Sequence, residues 1–298
     1  MFQTLAEVLV PVYLIVGVGF AVAKATPIKP ESLATLAYWV LGPIFVFDVL
    51  ADARLEAEVV GKVFAGSFST LLVVGVVAWA IMRALGIDES RRAATILTST
   101  YGNAGNFGLA ICAFALGEDA LPIAGIALVT INTTGILIGV GLAERRAGSV
   151  WTAARRAVTS PLALAVVPAA LVNATGSELP LWLDRPIALV AGALIPVMLL
   201  TLGIQIARMP RIVPETLTAI PISLKLVVSP VVALAVIAIL GLGGDAAGVV
   251  LLQAAMPAAV FTALISMEHD LVPDFTTSVV LTGTLASVVT LPVVLALL

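Results

Sequence analysis

The sequence predicts an all-α membrane protein with ten transmembrane helices, and three observations point to this class. Of the 298 residues, 61% are apolar and 11% are charged, whereas a soluble domain of this length is about half apolar and a quarter charged. The apolar residues form stretches long enough to cross a bilayer, which takes about 20 residues. The seams between these stretches are short and leave no room for a soluble domain.

Division of the chain at its charge and Pro/Gly clusters gives the candidate spans in order. They cover residues 5–23, 33–51, 60–82, 92–116, 120–142, 158–174, 186–207, 215–240, 246–267 and 274–297. The longest seam is rich in arginine and splits the spans into five and five. We therefore expect a first five-helix repeat over 1–142, a cytosolic basic linker over 143–157, and a second five-helix repeat over 158–298.

The basic residues predict the orientation, because cytoplasmic loops of membrane proteins carry an excess of Lys and Arg. With alternating spans, one side of the membrane collects Lys24, Lys29, Arg83, Arg91, Arg92, Arg145, Arg146, Arg155, Arg156, Arg208 and Arg211. The other side collects only Arg54, Lys62 and Arg185. This asymmetry predicts a multi-pass protein of the plasma membrane with both termini outside.

Composition also excludes several classes of function. A single Cys and a single His leave no disulfide framework, no Cys-based metal site and no His cluster for zinc. A nucleic-acid binder would need a basic surface, and no phosphate-binding Gly-rich motif is present for ATP-driven transport. The spans hold no nucleophile–base pair, so we expect neither an enzyme nor a bound metal or cofactor.

Each half of the chain repeats the same succession of interruptions. The second span of each half carries a proline inside an apolar stretch, Pro43 in the first half and Pro196 in the second. The fourth span of each half is interrupted, at residues 99–108 and at residues 253–259. An odd number of spans per repeat inverts the second copy, and inverted repeats with broken helices are typical of secondary transporters that bind substrate near the midplane.

A broken helix in a membrane has a cost in free energy, and this cost indicates where such a break is tolerated. Backbone groups left unpaired in hydrocarbon cost several kcal/mol each unless protein, water or a ligand satisfies them. Half-helix N-termini offer N–H groups and partial positive charge to an anion. The two interruptions are therefore expected to line a cavity, and the alternative is that their Gly and Pro residues serve helix packing or kinking.

At these interruptions the sequence resembles the auxin efflux carrier family, which includes bacterial carriers and plant PIN-type proteins and belongs to the bile acid/sodium symporter-like group. The resemblance covers essentially the whole chain and is most specific in Gly-Asn-Ala-Gly-Asn-Phe-Gly-Leu at 102–109 and Met-Pro-Ala-Ala-Val at 256–260. It implies a five-plus-five inverted repeat with broken, crossing helices 4 and 9, as in sodium/proton antiporters, and a homodimer. It also implies an organic carboxylate as substrate, with Asn103 and Pro257 at the two crossovers. One departure is Ala110, where the family often has proline.

Polar residues inside the predicted spans are functional candidates by default. Asn103 and Asn106 each offer an acceptor and two donors, and their alternative role is to satisfy the loosened backbone of their own break. Gln253 lies one turn before Pro257. The resemblance to sodium-coupled relatives, in which polar side chains near this position help to hold cations, makes it the residue that decides between coupled and uncoupled transport. The predicted substrate-binding set is Asn103, Gly105, Asn106, Gln253, Met256 and Pro257.

Four further residues are candidates for coupling or support, namely Asp48, Asn132, Thr133 and Lys225. Asp48 is either a buried proton carrier or a residue of the external interface. Lys225 could snorkel to the cytosolic interface, pair with an acid or attract an anion, and snorkelling is favoured. For the polar groups of the fifth span, packing between helices is favoured.

The leading functional hypothesis is a secondary active transporter or uniporter that moves a small organic anion, auxin-like or a dicarboxylate, by alternating access of a crossover domain against a scaffold domain. The alternative is a sodium- or proton-coupled symporter or antiporter of the bile-acid symporter type. Antiporters of this fold usually carry acids in or beside the crossover, and neither interruption contains one. The expected partners are the organic anion, membrane lipid and a second copy of the chain, without nucleic acid.

Overall fold

The structure is a computed structural model that describes residues 2–144, 150–209 and 215–298. Over these residues the chain is helical, and its extended backbone pairs only in one isolated β-bridge. The described helices are, in chain order, α1 Phe2–Ala25, α2 Pro30–Ala51, α3 Ala57–Ala84, α4 Glu89–Thr100, α5 Ala104–Leu116, α6 Leu121–Glu144, α7 Val150–Val158, α8 Pro161–Thr175, α9 Leu181–Arg208, α10 Thr216–Leu240, α11 Gly244–Ala255, α12 Val260–Glu268 and α13 Pro273–Leu295. The all-α class predicted from the sequence is confirmed.

Among the described helices, seven are long and apolar enough to cross a membrane, namely α1, α2, α3, α6, α9, α10 and α13. Helices α7 and α8 make an eighth if they are taken as one span bent by 51°. The chain is thus a multi-pass membrane protein. The second half of the predicted 143–157 linker is helical in α7, whereas Arg145, Arg146 and Arg211 lie outside the described residues.

The predicted fourth and ninth spans are each divided into two short helices. Helix α4 ends at Thr100 and α5 begins at Ala104, while α11 ends at Ala255 and α12 begins at Val260. Each piece is shorter than the ~20 residues that cross a bilayer. The breaks themselves are shorter than the interruptions in the sequence suggested, because Gln253 still belongs to a regular helix.

Three segments with π-helical backbone widen the helices, over Ala37–Leu41 in α2, Ala104–Gly108 in α5 and Leu224–Val228 in α10. A proline follows the first and the third of them by two residues, as Pro43 and Pro230. Proline lacks the N–H that would close a normal α-turn, so a wider turn before it is expected. In α5 the corresponding position is Ala110, and the π-helical turn forms there without a proline.

The helices pack as two groups. In the first group α1 packs against α9 and α2 against α8. In the second group α3 packs against α4, α6 and α10, α5 against α6 and α11, α10 against α11, and α12 against α13. The two groups meet where α2 contacts α6 and where α5 contacts α9. Glycines explain the closest contact within the first group. A Cβ on Gly19 would overlap the carbonyl of Leu200, and a Cβ on Gly203 would overlap the carbonyl of Val16. Such close backbone approach is a usual way for membrane helices to associate.

Candidate functional site: a cavity at two helix breaks

The two helix breaks lie against each other and satisfy each other's backbone. The N–H of Asn103 donates to the carbonyl of Pro257 at 2.7 Å, and the N–H of Ala259 donates to the carbonyl of Tyr101 at 2.9 Å. These bonds flank an isolated antiparallel bridge between Gly102 and Ala258. The unwound backbone is therefore paired inside the protein, which removes the cost of exposing it to hydrocarbon.

A tight turn holds Asn103 in place. Its backbone angles are φ −77° and ψ 58°, and the N–H of Ala104 donates to the carbonyl of Gly102 at 2.8 Å. Together these describe an inverse γ-turn centred on Asn103. The backbone carbonyl of Asn103 then accepts hydrogen bonds from the N–H groups of Phe107 and Gly108. Since its backbone is bonded on both sides, the amide side chain is not needed to satisfy the break.

A cavity of about 370 Å³ lies beside the breaks, within the size range of small-ligand sites. Its walls come from both helix groups: α2, α8 and α9 on one side, and the two breaks with α6 and α12 on the other. It extends to Glu31 in the first turn of α2 and to Gln205 near the end of α9. It therefore approaches the end of the bundle that carries Lys29 and Arg208, which was predicted to be cytosolic.

Two residues that line this cavity hold buried amide nitrogens without an acceptor in the described part of the chain. The nitrogens are Nδ2 of Asn103 and Nδ2 of Asn132, and these two residues are only 4% and 8% exposed. The hydroxyl of Tyr101 donates to Oδ1 of Asn132 at 2.6 Å, so the asparagine oxygen is occupied and its NH₂ group remains. A buried donor without a partner costs about 1–3 kcal/mol, and an acceptor bound in the cavity would remove this cost.

Asn106 and Gly105 also line the cavity, on the first turn of α5. Nδ2 of Asn106 donates to Oε1 of Gln205 at 3.4 Å, which joins the second helix group to the first. A Cβ on Gly105 would lie 3.1 Å from Cε of Met198, so this glycine keeps α5 close to α9. Gln205 is not evident from the sequence, because a polar residue near the end of a span is typical of the membrane interface.

Aromatic rings form the apolar part of the wall. Tyr38 and Phe261 stack with centroids 6.1 Å apart and planes at 14°, and Tyr101 meets Phe261 edge to face at 6.1 Å. Trp39 packs edge to face on Tyr38 at 5.5 Å. All four residues line the cavity. Their sequence positions carried no signal, because aromatic residues in membrane spans are more often lipid-facing or packing residues.

Lys225 does not snorkel to the interface, and that expectation is wrong. The residue is only 3% exposed, and its ammonium donates to the carbonyl of Ala254 at 2.9 Å. The hydroxyl of Ser229 donates to the same carbonyl at 2.9 Å. A Cβ on Gly102 would lie 2.9 Å from Nζ of Lys225, so the ammonium is packed against the first break as well. The π-helical segment of α10 turns this lysine inward, toward the helix breaks.

The four half-helices end at the breaks and bring partial charges of both signs there. The N-termini of α5 and α12 border the cavity through Gly105 and Val260, and helix N-termini carry partial positive charge. The C-termini of α4 and α11 lie beside the ammonium of Lys225, and helix C-termini carry partial negative charge. The two helix N-termini at the cavity wall thus favour an anion there, while the amine of Lys225 lies at the carbonyl ends of the other two half-helices.

The remaining predicted substrate-binding residues lie at the breaks but outside the cavity wall. The carbonyl of Pro257 is the acceptor for Asn103, and Met256 is fully buried. Gln253 is buried and turns its side chain toward Gly108, where a Cβ would overlap its amide, and Nε2 lies 3.8 Å from Sγ of Cys112. Gln253 borders a much smaller space, of about 10 Å³, together with Lys225.

Asp48 and Thr133 are not brought to the cavity. Asp48 is half-buried in the last turns of α2, with Asp52 and Asp184 as its acidic neighbours. Thr133 follows Asn132 on α6, but its hydroxyl faces neither cavity and bonds to no other described residue. Among the described residues, no group of His, Cys, Asp and Glu is arranged to hold a metal ion.

A bundle of apolar helices in which two broken helices meet beside a central cavity is the architecture of a membrane transporter. Comparison with known proteins agrees: residues 4–142 and 143–295 match the model of the family described as membrane transport protein. The chain belongs to this family, the auxin efflux carrier family, as its motifs had suggested. It is a transporter and not an enzyme.

One relative covers the same length of chain. An uncharacterized transporter of Methanothermobacter thermautotrophicus is 25% identical to this chain over 301 residues, which is 98% of this chain and 97% of the relative. The similarity extends from end to end, so it concerns the whole transporter and not a single domain.

Proposed function

We propose that the protein is a secondary transporter or uniporter for a small organic anion with one carboxylate group and an apolar body. The observation that carries this proposal is the pair of buried, unpaired amide donors of Asn103 and Asn132, two residues that line one cavity beside two helix N-termini. Hydrogen bonds to a charged acceptor contribute roughly 1.5–3 kcal/mol each. A carboxylate has two oxygens and accepts from both amides.

The other lining residues support one carboxylate over two. In the described part of the chain, Glu31 is the only charged residue of the cavity wall, and it is acidic. A second carboxylate would find no cation there and would be buried without compensation or lie near this glutamate, both of which are unfavourable. The rings of Tyr38, Tyr101 and Phe261 instead suit an aromatic or aliphatic body.

In our proposal the sixth span is α8, and the fourth and ninth spans are the broken pairs α4–α5 and α11–α12, which brings the total to ten spans in a five-plus-five inverted repeat. The two broken pairs would cross each other and belong to the moving domain. The group of α1, α2, α8 and α9 would be the scaffold. This assignment is supported by the position of the cavity between the two helix groups. Alternating access would then require the Tyr38–Phe261 stack and the Asn106–Gln205 bond, which join the groups, to separate.

The orientation and assembly that we propose follow from the sequence. Both termini would be outside, and the cavity would then face the cytosol in this conformation. A homodimer would form through the scaffold group, as the family resemblance implies. Cysteine labelling of single exposed positions in whole cells, with a membrane-impermeant reagent, would contradict this orientation if a cysteine at Arg54 were protected and one at Arg83 were labelled.

We further propose that transport does not depend on sodium. The ammonium of Lys225 supplies the positive charge at the carbonyl ends of α4 and α11 that a bound cation would otherwise supply. Asp48, the candidate proton carrier, lies away from the cavity. Sodium- or proton-coupled transport remains the competing function, and uptake by proteoliposomes with sodium replaced by choline at several pH values separates the two. Loss of uptake in choline would reject the uncoupled mechanism.

The substrate class can be tested by thermal stability. A ligand that binds only the folded protein at 100 times its Kd stabilises it by about 2.7 kcal/mol. We expect aromatic and aliphatic monocarboxylates to raise the unfolding temperature, and dicarboxylates and the matching primary amides to leave it unchanged. Stabilisation by the neutral amides to the same extent would contradict an anion site, and stabilisation by dicarboxylates alone would contradict the single-carboxylate proposal.

A further inference from the structure

Helix α7 connects the two halves of the chain and separates polar from apolar side chains more sharply than any other described helix of eight or more residues. Its axis is bent by 51° from that of the following helix α8. One stripe, of Ala153 and Ala157, is buried against Ile136 and Leu137 of α6. The helix is therefore fixed to the bundle on one side, and its other sides face outward.

The outward stripe of interest consists of Trp151, Arg155 and Val158, which follow one another at helical spacings of four and three residues. Trp151 is 76% exposed and Val158 is 60% exposed, so two apolar side chains flank an exposed arginine. Arg155 makes no ion pair with any residue that the structure describes, whereas its neighbour Arg156 lies 3.9 Å from Glu268. The guanidinium of Arg155 is thus available to an external anion.

We propose that α7 lies in the membrane–water interface and that Arg155 binds the phosphate of an anionic phospholipid, with Trp151 and Val158 among the upper parts of the acyl chains. Amphipathic helices with basic residues and exposed Trp bind the interface in this way, and tryptophan favours the headgroup level. Arginine matches phosphate oxygens with two parallel hydrogen bonds. A soluble phosphate would not need the apolar flanks, and for that reason the stripe points to a lipid.

The position of the stripe agrees with an anionic surface. Arg155 and Arg156 stand in the last turn of α7, and Arg145 and Arg146 precede the helix in the sequence. Basic residues next to a negatively charged leaflet attract its lipids with an energy that decays within a Debye length. The site lies outside the transport cavity, so it stands whether or not the proposed substrate is correct.

The test is a titration of the full-length protein in detergent with phosphatidylglycerol, in which native mass spectrometry counts the bound lipids. We expect Arg155→Gln to raise the Kd of the first bound lipid roughly fivefold, as for the loss of one basic residue at an anionic surface, and Arg155→Lys to change it less. Arg54→Gln removes the same charge from an exposed loop between α2 and α3 and is the matched control, for which no change is expected.

Two further arms distinguish a lipid from a free anion. Val158→Gln should weaken phosphatidylglycerol binding, since it removes an apolar contact, and soluble glycerol phosphate should not displace the lipid at equal concentration. In the wild type, phosphatidylcholine should bind more weakly than phosphatidylglycerol. In Arg155→Gln, the two lipids should bind with equal affinity. Unchanged lipid affinity in Arg155→Gln, an equal loss in Arg54→Gln, or displacement by glycerol phosphate would overturn the proposal.

Discussion

Substitution of Asn103 by alanine tests the central feature of the site, the unpaired amide. The backbone bonds of this residue to Pro257, Phe107 and Gly108 do not involve its side chain, so the helix break should remain. Its Nδ2 bonds to no described residue before a ligand binds. We therefore expect the free energy of unfolding without ligand to fall by no more than about 1 kcal/mol, because no buried partner is left unpaired.

The ligand-bound protein should behave differently. Loss of one hydrogen bond to a carboxylate costs about 2 kcal/mol, which raises Kd roughly 30-fold. At a ligand concentration of 100 times the wild-type Kd, the stabilisation by ligand would fall from about 2.7 to about 0.9 kcal/mol. At about 2–4 °C per kcal/mol, the ligand-induced shift of the unfolding temperature would be smaller by roughly 4–7 °C.

The assay compares unfolding temperatures with and without the best carboxylate from the screen, alongside uptake in proteoliposomes. Thr133→Ala is the matched control, because its hydroxyl is also buried and unpaired among the described residues but does not line the cavity. It should keep the full ligand-induced shift. An equal shift in Asn103→Ala and wild type, or an equal loss in Thr133→Ala, would refute the assignment of the amide to the substrate.

Three further substitutions test the packing around the site. Gly19→Ala should destabilise the protein by several times more than Gly17→Ala, since its Cβ would overlap a backbone carbonyl of α9 whereas nothing lies within 4 Å of a Cβ at Gly17; equal unfolding temperatures would contradict the close α1–α9 contact. Gly108→Ala should lower the unfolding temperature because its Cβ would overlap the amide of Gln253. Adding Gln253→Ala to this variant should restore the unfolding temperature. If the two substitutions instead give additive losses, the contact is not the cause. Tyr101→Phe removes a buried 2.6 Å hydrogen bond and should cost about 1–3 kcal/mol, so an unfolding temperature equal to that of wild type would show that the bond carries no net stability.

Several features of the site follow from local sequence, because they depend on backbone chemistry. The glycines, asparagines and Met256-Pro257 interrupt apolar stretches, and both helix breaks lie within those interruptions. What the individual glycines do was not evident. Gly105 and Gly108 stand in helix and allow Met198 and Gln253 to approach, because tertiary contacts and not chain unwinding require the absence of a side chain there.

Other residues of the site belong to it only through packing. Gln205 sits near a span end and Tyr38 within an unbroken span, so neither stands out in the sequence. Each reaches the cavity because α9 and α2 lie against the helix breaks. Asp48 shows the reverse case: an acid within an apolar stretch is a functional candidate by default, yet its turn of α2 ends away from the cavity.

The membrane environment, the helical class, the places where helices break and, through the motifs, the transporter family can all be predicted from the residues. These properties depend on hydropathy and on the conformational limits of Gly and Pro, which act over a few residues. Which polar groups share a cavity, and which side chain lies at the helix ends, depends instead on how the helices pack. Lys225 illustrates the reason: an ammonium on an apolar helix is stable either at the interface or against buried carbonyl groups. The carbonyl of Ala254 belongs to the next helix, 29 residues further along the chain, and only the packing of α10 on α11 brings it to the lysine.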